Sequence, residues 1–294
     1  VLALAMVLGL GAGIAGVFLR EALKRGAEDA DDIETGTGLA VYATVPHSDA
    51  QLYGAHAHRV RQGAPALLAA ADPGDIAVEH LRSLRTALQF ALVESTNNVI
   101  AIGGAGPGVG KSFISANLAY VLASADHRVL LVDCDLRRGR LHRAFGLQRR
   151  PGVTDVVSGS AQAADAVRKT ENPYLDLLTT GAIPPNPSEL LATGGFEQLL
   201  GWASRHYAYV VIDTPPVLAV TDPTLVARRA GVNLLVLRAG QHPLREIALA
   251  VNRYAQSGVK VQGAVLNDGR SSGGRYGKYG RYSRYEYRSD PRES

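Results

Sequence analysis

Cysteine is almost absent from the sequence: Cys134 is the single one among 294 residues. One thiol cannot form an intramolecular disulfide, which excludes a disulfide-stabilised secreted scaffold and any dependence of the fold on an oxidising compartment. The eight histidines show no metal-ligand spacing. No metal site is therefore predicted from His or Cys side chains.

Net charge is also scarce, with a formal value of only +4. Residues 268–294 carry seven Lys/Arg and four Asp/Glu, so the rest of the chain has a net charge of +1. This balance argues against a general nucleic-acid binder and indicates one locally basic segment. The 46% hydrophobic and 20% charged content is too ordinary for a disordered, collagenous or repeat protein, and it supplies a globular core.

Residues 1–19 contain no charged or strongly polar side chain, whereas Arg20, Lys24 and Arg25 follow them closely. A helix of this length is about 28 Å long, close to the hydrocarbon thickness of a bilayer, so we predict a transmembrane helix. A secretory signal peptide would carry its positive charges before the apolar run. The positive-inside rule places the rest of the chain in the cytoplasm. Because the sequence begins at Val1 instead of Met, we expect it to be the later part of a longer protein.

Composition divides the remaining chain into a juxtamembrane linker over 20–74, a folded domain over 75–267 and a flexible tail over 268–294. The linker is acidic at first and later polar, with one short strand-like stretch from Leu39 to Val45. Asp75 is a candidate helix N-cap. The apolar residues that follow it recur at helical intervals: Ile76, Leu81, Leu84, Leu88 and Leu92.

Six short apolar runs predict the strands of the folded domain. They are Val99–Ile102, Val129–Val132, Leu175–Leu178, Tyr209–Ile212, Leu234–Leu237 and Val261–Leu266. Helical stretches separate most of these runs. That alternation predicts an α/β fold with a doubly wound, mostly parallel sheet.

The strongest chemical motif is the glycine-rich segment from Gly104 to Ser112, which lies between a predicted strand and a predicted helix. Its glycines let backbone N–H groups converge on phosphate oxygens at a helix N-terminus. Lys111 is expected to reach the β- and γ-phosphates, and the Ser112 hydroxyl to bind Mg²⁺. We therefore predict ATP and Mg²⁺ as ligands. The predicted nucleotide contacts are Gly106, Pro107, Gly108, Val109, Gly110, Lys111, Ser112 and Phe113.

Three carboxylates follow two other predicted strands: Asp133 and Asp135 after the second, and Asp213 after the fourth. Carboxyl ends of parallel strands line the ligand crevice, so these groups should converge beside the phosphates. We assign Asp135 and Asp213 to Mg²⁺ together with Ser112, and Asp133 as the base, although sequence alone does not rank the three. Cys134 is expected to point to the opposite, packed face. Arg137 is either structural or directed at phosphate.

These motifs together resemble the bacterial tyrosine kinases (BY-kinases) of capsule and exopolysaccharide export. The resemblance rests on the P-loop (Walker A), the Asp133-Cys134-Asp135-Leu136-Arg137 segment (Walker A′) and Ile212-Asp213-Thr214-Pro215-Pro216 (Walker B). It extends to the Glu-x-x-Arg-x-x-Arg pattern of Glu79, Arg82 and Arg85, to Val41–Pro46 and to the tyrosine-rich C-terminal residues. It implies a P-loop NTPase fold and the C-terminal part of a co-polymerase that includes its second membrane span.

The resemblance also implies autophosphorylation in a ring-like homo-oligomer, at the bacterial inner membrane. The expected partners are the polysaccharide polymerase and export machinery and a cognate tyrosine phosphatase, with no nucleic acid. Glu79, Arg82 and Arg85 would form the oligomer interface, and Asn267 would contribute to base recognition. The expected phosphoacceptors are Tyr276, Tyr279, Tyr282, Tyr285 and Tyr287.

Two other functions share part of these motifs. A partitioning-type ATPase carries a second lysine five residues before Lys111, but that position is Gly106 here. A membrane scaffold could use nucleotide only as a switch, and phosphorylation of the tail would distinguish it from a kinase. The basic, aromatic tail could also bind nucleic acid or anionic lipid.

Overall fold

The computed structural model describes residues 26–48 and 67–269, together with Gly13 alone. Apart from Gly13, the predicted membrane helix lies outside these residues, as do the five predicted acceptor tyrosines. Over the described part of the chain, no helix combines the length and apolar character needed to cross a bilayer.

One eight-stranded sheet organises the described residues, in the order β1-β8-β7-β2-β6-β3-β5-β4. Neighbouring strands are parallel throughout, except that β4 runs antiparallel to β5. All six predicted strands are present, which confirms the mostly parallel α/β sheet; β4 has two residues, too few to leave a sequence pattern. The strands are β1 (Val41–Pro46), β2 (Val99–Gly104), β3 (Val129–Asp133), β4 (Arg168–Lys169), β5 (Leu175–Leu178), β6 (Tyr209–Asp213), β7 (Val232–Arg238) and β8 (Gly263–Gly269).

Helices cover both faces of the sheet, as a doubly wound fold requires. Alternate strand residues face opposite sides: Ile100 packs with the helices α3 and α4 on one face, and Val99 with α9 on the other. The helices are α1 (Ala30–Thr37), α2 (Leu68–Ala71), α3 (Ile76–Val93), α4 (Lys111–Ala123), α5 (Leu141–Ala144), α6 (Val153–Val157), α7 (Ala163–Ala166), α8 (Pro187–Ala192), α9 (Gly194–His206), α10 (Asp222–Ala227) and α11 (Leu244–Gln256).

The predicted helix after Asp75 is α3, and Asp75 is its N-cap: the carboxylate accepts a hydrogen bond from the backbone N–H of Ala77 at 2.7 Å. Leu81, Leu84 and Leu88 are fully buried. Ile76, however, is 49% exposed. It lies five residues before Leu81, which places it about 140° around the helix from the buried stripe.

The folded domain begins earlier than residue 75, so the predicted linker over 20–74 needs correction. β1 pairs in parallel with β8, with Val45 opposite Asn267. Ile33 on α1 is fully buried in a cluster with Ile247 and Tyr254 of α11. The sequence did show a strand-like stretch at β1, but its partner lies more than 200 residues later and leaves no local signal.

Candidate active site

The glycine-rich loop connects β2 to α4, as predicted, and it ends at a buried lysine. Lys111 is 8% exposed, and its Nζ donates to the carbonyl oxygen of Gly106 at 3.2 Å. Gly108 and Gly110 have φ angles of 75° and 92°, the left-handed region in which residues with a Cβ are strained. Burial lowers the pKa of Lys111, while Asp213 and Asp135 act in the opposite direction. The ammonium group of Lys111 is thus held against the backbone of the loop, at Gly106 O.

The curve of the loop is fixed from outside by side chains that hydrogen-bond to its carbonyl groups. Gln241 donates to Pro107 O at 3.0 Å, Arg238 to Gly108 O at 3.4 Å and Asn267 to Val109 O at 3.0 Å. In a trans peptide the N–H points opposite to the C=O. The N–H groups of residues 108–110 are therefore directed away from these braces, toward the inside of the loop where phosphate oxygens would bind.

Asp213 sits at the carboxyl end of β6 and contacts two serines of α4. Its carboxylate accepts hydrogen bonds from Ser112 Oγ at 2.5 Å and from Ser115 Oγ at 3.1 Å. Burial raises the pKa of Asp213 to about 6, because two hydroxyls and nearby Lys111 offset desolvation only in part. Two predicted Mg²⁺ ligands, Ser112 and Asp213, are therefore already in contact.

Asp133 lies beside Asp213 on the neighbouring strand, because β3 and β6 pair with these two residues in register. It is fully buried, and its Oδ2 accepts the backbone N–H of Leu141 at 3.1 Å. Burial, together with the charge of Asp213, raises the pKa of Asp133 to about 7. Cys134 is also fully buried, in the core cluster of the α9 face, as predicted.

Asp135 is partly buried, and its side chain stabilises a tight turn in the backbone that follows it. Its Oδ1 accepts backbone N–H bonds from Arg137 at 3.3 Å and from Arg138 at 2.9 Å. Arg137 in turn forms a bidentate pair with Asp222, at 2.8 and 3.1 Å. Ser188 donates a further bond to the same carboxylate. Of the two alternatives for Arg137, this geometry gives the structural one: it ties the segment carrying Asp135 to α10.

The donor set at the loop is suited to a hard cation, because it consists of oxygens: the Ser112 hydroxyl and the carboxylates of Asp213 and Asp135. Within the described residues, no group of three or more His, Cys, Asp and Glu side chains is arranged to hold a metal ion alone. Mg²⁺ usually takes one or two carboxylates and completes its shell with water and substrate phosphate. The residues present fit Mg²⁺ bound together with a nucleotide.

The other predicted site residues have contacts of different kinds. Phe113 is partly buried and packs against the main core. Asn267, expected to contact the base, braces the glycine-rich loop with its amide. On α3, Arg82 pairs with Glu79 at 2.6 Å and donates to Pro73 O, whereas Arg85 donates to Val121 O of α4 at 3.4 Å.

Sequence reasoning missed the residues that support the site from other loops: Ser188, Asp222, Arg238, Gln241 and His242. None of them belongs to a motif. His242 is 7% exposed and lies against Gly106, where an added Cβ would come within 2.7 Å of the imidazole Cε1. For Asp222 alone the sequence offers a signal, an acidic residue directly before a proline in Thr221-Asp222-Pro223, which is typical of a helix start.

A family model described as an AAA domain matches residues 97–228. The chain is 45% identical over 275 residues to the tyrosine-protein kinase ptk of Acinetobacter johnsonii, and 40% identical over 270 residues to the tyrosine-protein kinase wzc of Salmonella typhimurium. These alignments cover 93% and 89% of the chain, but the chain spans only 37% of the length of either relative.

Two solved structures resemble most of the described fold. The BceF tyrosine kinase domain is 45% identical, with a TM-score of 0.76 over 82% of this chain and 98% of that one. The kinase domain of the Escherichia coli tyrosine kinase ETK is 40% identical, with a TM-score of 0.79 over 85% of this chain and 98% of that one.

Proposed function

The chain belongs to the bacterial tyrosine kinase family, and we propose that it is an ATP-dependent protein-tyrosine autokinase. In this proposal it transfers the γ-phosphate of ATP to tyrosines in the C-terminal segment of a neighbouring subunit. One observation carries it: buried Lys111 and exposed Ser112 end the glycine-rich loop, Ser112 contacts Asp213, and Asp213 pairs in register with Asp133. This arrangement supports the assignment of a phosphate-binding loop beside a carboxylate that accepts a proton.

The proposed transfer uses each of these groups for one task. The tyrosine oxygen forms a bond to the γ-phosphorus, the bond from that phosphorus to the β–γ bridging oxygen breaks, and ADP leaves. Asp133 accepts the phenolic proton, and a pKa of about 7 suits a base that works near neutral pH. Lys111 stabilises the negative charge on the phosphates. Ser112, Asp135 and Asp213 would hold Mg²⁺, which adds further charge neutralisation.

The proposed acceptors are the five tyrosines of the tail, Tyr276, Tyr279, Tyr282, Tyr285 and Tyr287. Acidic groups at the carboxyl end of the sheet favour the approach of a segment with net charge +3 over 268–294. Family membership supports the wider proposal of membrane anchoring at the bacterial inner membrane, self-association and control of capsule or exopolysaccharide polymerisation. The polymerase and export machinery and a tyrosine phosphatase are the proposed partners.

The test is to incubate the purified chain with Mg-ATP and map the modified residues by mass spectrometry. We expect phosphate on the tail tyrosines. Lys111→Met should remove it while circular dichroism stays unchanged, because the loop backbone is braced from outside and does not need the lysine side chain. Lys260→Met, which changes an exposed lysine beyond α11, is the matched control and should behave like the unmodified chain.

Near-normal phosphotyrosine in a folded Lys111→Met chain would contradict the assignment of this lysine. ATP binding without any tail phosphorylation would instead favour the scaffold in which nucleotide serves only as a switch.

A further inference from the structure

A second pocket lies at the far end of α4 from the glycine-rich loop. It has a volume of about 450 Å³, within the range of ligand-binding cavities. Its wall is formed by Tyr120 of α4, Phe145 and Tyr174. The backbone carbonyl oxygen of Tyr174 accepts the N–H of Val129 at 2.8 Å. Since Val129 is the first residue of β3 and Tyr174 directly precedes β5, the pocket lies at the amino ends of these two strands. It is therefore separate from the nucleotide site.

The pocket combines aromatic rings with negative charge. Asp126 and Glu171 line it, and none of the described residues that line it is Lys or Arg. Carboxylates beside aromatic faces favour a cation with a long aliphatic or planar body, which is the chemistry of a Lys or Arg side chain. Both carboxylates are exposed, so they can pair with an incoming cation without the cost of removing them from water.

A short path joins this pocket to the proposed base. Leu141 at the start of α5 donates its N–H to Asp133 Oδ2 at 3.1 Å. Phe145, the residue directly after α5, lies about 6 Å along the helix axis from Leu141. Its side chain forms one wall of the pocket. The five residues of β3 lead from Val129, which bonds to Tyr174 at the pocket, to Asp133 at the other end, a distance of about 13 Å. The 13 residues of α4 give about 20 Å from the glycine-rich loop to the pocket. The two sites are thus separated by roughly 10–20 Å.

One part of the chain has a matching chemistry and spacing. Residues 270–294 carry seven Lys/Arg and three Asp/Glu, and a basic residue directly precedes a tyrosine at every third position from Arg275-Tyr276 to Arg284-Tyr285. An extended peptide covers about 3.3 Å per residue, so four or five residues span roughly 13–17 Å. A basic side chain in the pocket can therefore leave a tyrosine of another repeat at Asp133.

We propose that this pocket is a docking subsite for residues 270–294 of a neighbouring subunit, binding a Lys or Arg of the tail while a tyrosine four or five residues away occupies the active site. The proposal rests on the autokinase function proposed above.

A smaller hollow lined by Arg82 and Arg85 shares Tyr120 and Ser124 with the pocket. A neighbour that contacts α3 would thus be next to the docking subsite. In the tail, a basic residue precedes a tyrosine at every third position, so a shift of the bound tail by three residues presents a different tyrosine to the active site. Docking therefore also explains why several tyrosines would be acceptors.

The kinetic test separates the enzyme from its acceptor. The enzyme carries Tyr→Phe at all five tail tyrosines, and the acceptor is the Lys111→Met chain with its tail intact. Glu171→Lys with Asp126→Asn is then introduced into the enzyme; Asn is chosen because residue 126 has a φ of 60°, which Asn tolerates. We expect the KM for the acceptor to rise roughly 3- to 10-fold, the scale of one or two lost ion pairs, with kcat nearly unchanged.

Glu197→Lys, an exposed acid on α9, is the matched control and should leave the KM unchanged. A four-residue peptide spanning 280–283 cannot reach both sites, so its phosphorylation should not respond to the pocket variant. An acceptor KM equal to that of the control, or an equal loss with the short peptide, would overturn the docking proposal.

A binding measurement keeps docking distinct from catalysis. A fluorescent peptide of residues 270–294 should bind the Lys111→Met chain at low salt, and Glu171→Lys should weaken that binding by a similar factor. If the pocket variant binds the peptide as well as the Glu197→Lys control does, docking is excluded whether or not the chain phosphorylates tyrosine. If binding is pocket-dependent but no phosphotyrosine forms, docking holds and the autokinase proposal fails.

Discussion

Two serine hydroxyls of α4 share the carboxylate of Asp213, but only one of them is open to a ligand. Ser112 is exposed, whereas Ser115 is fully buried and also lies 2.9 Å from the carbonyl oxygen of Lys111. Ser112 can therefore turn from the carboxylate toward a metal ion. Ser115 can only hold Asp213 in place.

We predict different kinetic effects for the two hydroxyls. Ser112→Ala should lower kcat/KM about 100-fold or more and raise the Mg²⁺ concentration for half-maximal rate, because a metal ligand is lost. Ser115→Ala should lower kcat/KM by less than about 10-fold and unfolding free energy by about 1 kcal/mol, the cost of one buried hydrogen bond. Steady-state kinetics with Mg²⁺ titration and urea unfolding measure both. Equal Mg²⁺ dependence in the two variants would contradict the assignment of Ser112.

At the scale of elements, α6 depends on one carboxylate. Asp155 accepts the Gly152 N–H at 3.0 Å and a bond from Arg150 at 2.7 Å. The same segment contacts the residue that directly follows β5, because Val153 donates its N–H to the carbonyl oxygen of Thr179 at 2.8 Å. Burial acts to raise the pKa of Asp155, but the bonds from Arg150 and Gly152 outweigh it and leave the pKa lowered.

A lowered pKa means that ionised Asp155 stabilises the fold above the unfolded-state pKa of about 4, and that this contribution is lost as pH falls through the folded value. Asp155→Asn should therefore lower unfolding free energy by about 1–3 kcal/mol at pH 7 and by much less near pH 3. Urea unfolding at both pH values checks this, with exposed Asp165→Asn as the control. A loss that is the same at both pH values would show that the charge of Asp155 is not the cause.

Local motifs could be interpreted from the sequence, whereas contacts between distant loops could not. Lys111, Ser112 and the three carboxylates were identified because each sits at a strand end or in a loop whose geometry is encoded by its neighbours. Arg238 and Gln241 reach the glycine-rich loop only because β7 lies beside β2, and Asp222 meets Arg137 only because α10 follows β6. Strand order determines these contacts, and no short stretch of sequence records it.

At the scale of the whole molecule, self-association is proposed to depend on Glu79, Arg82 and Arg85. Within one chain, the Glu79–Arg82 pair is exposed and Arg82 also caps Pro73 O. Changing all three to Ala should abolish the Mg-ATP oligomer in sedimentation, and phosphorylation between subunits with it. Glu197→Ala with Arg205→Ala, on the opposite face of the sheet, is the control. An unchanged oligomer would leave these residues as a solvated helix face, worth a few tenths of a kcal/mol.

The tail should also control how long the assembly persists. Each phosphate adds about −1.5 to −2 charges, so five phosphotyrosines would change the net charge of 268–294 from +3 to about −5 to −7. Such a tail is repelled by the acidic site and by its neighbours. Tyr→Phe at all five positions should therefore stabilise the Mg-ATP oligomer, and Tyr→Glu should weaken it.

Salt provides the check on this electrostatic explanation. The difference between the two tail variants should shrink with added salt, since the Debye length is about 10 Å at 0.1 M. Sedimentation at low and high ionic strength measures it. If both variants assemble like the unmodified chain at low salt, the tail is an acceptor without a switching role.

The pairing of β1 with β8 has a consequence for aggregation. Ala264, Val265 and Leu266 of β8 are almost fully buried, and β1 satisfies the backbone N–H and C=O groups along one side of them. A fragment that starts at Asp75 would leave this extended, apolar row unpaired, and an open row of that kind is a template for strands of other molecules. Such a fragment should form nucleotide-independent aggregates that no change at Glu79 or in the tail can prevent. Fragments used for assembly measurements therefore need to begin before Ala30.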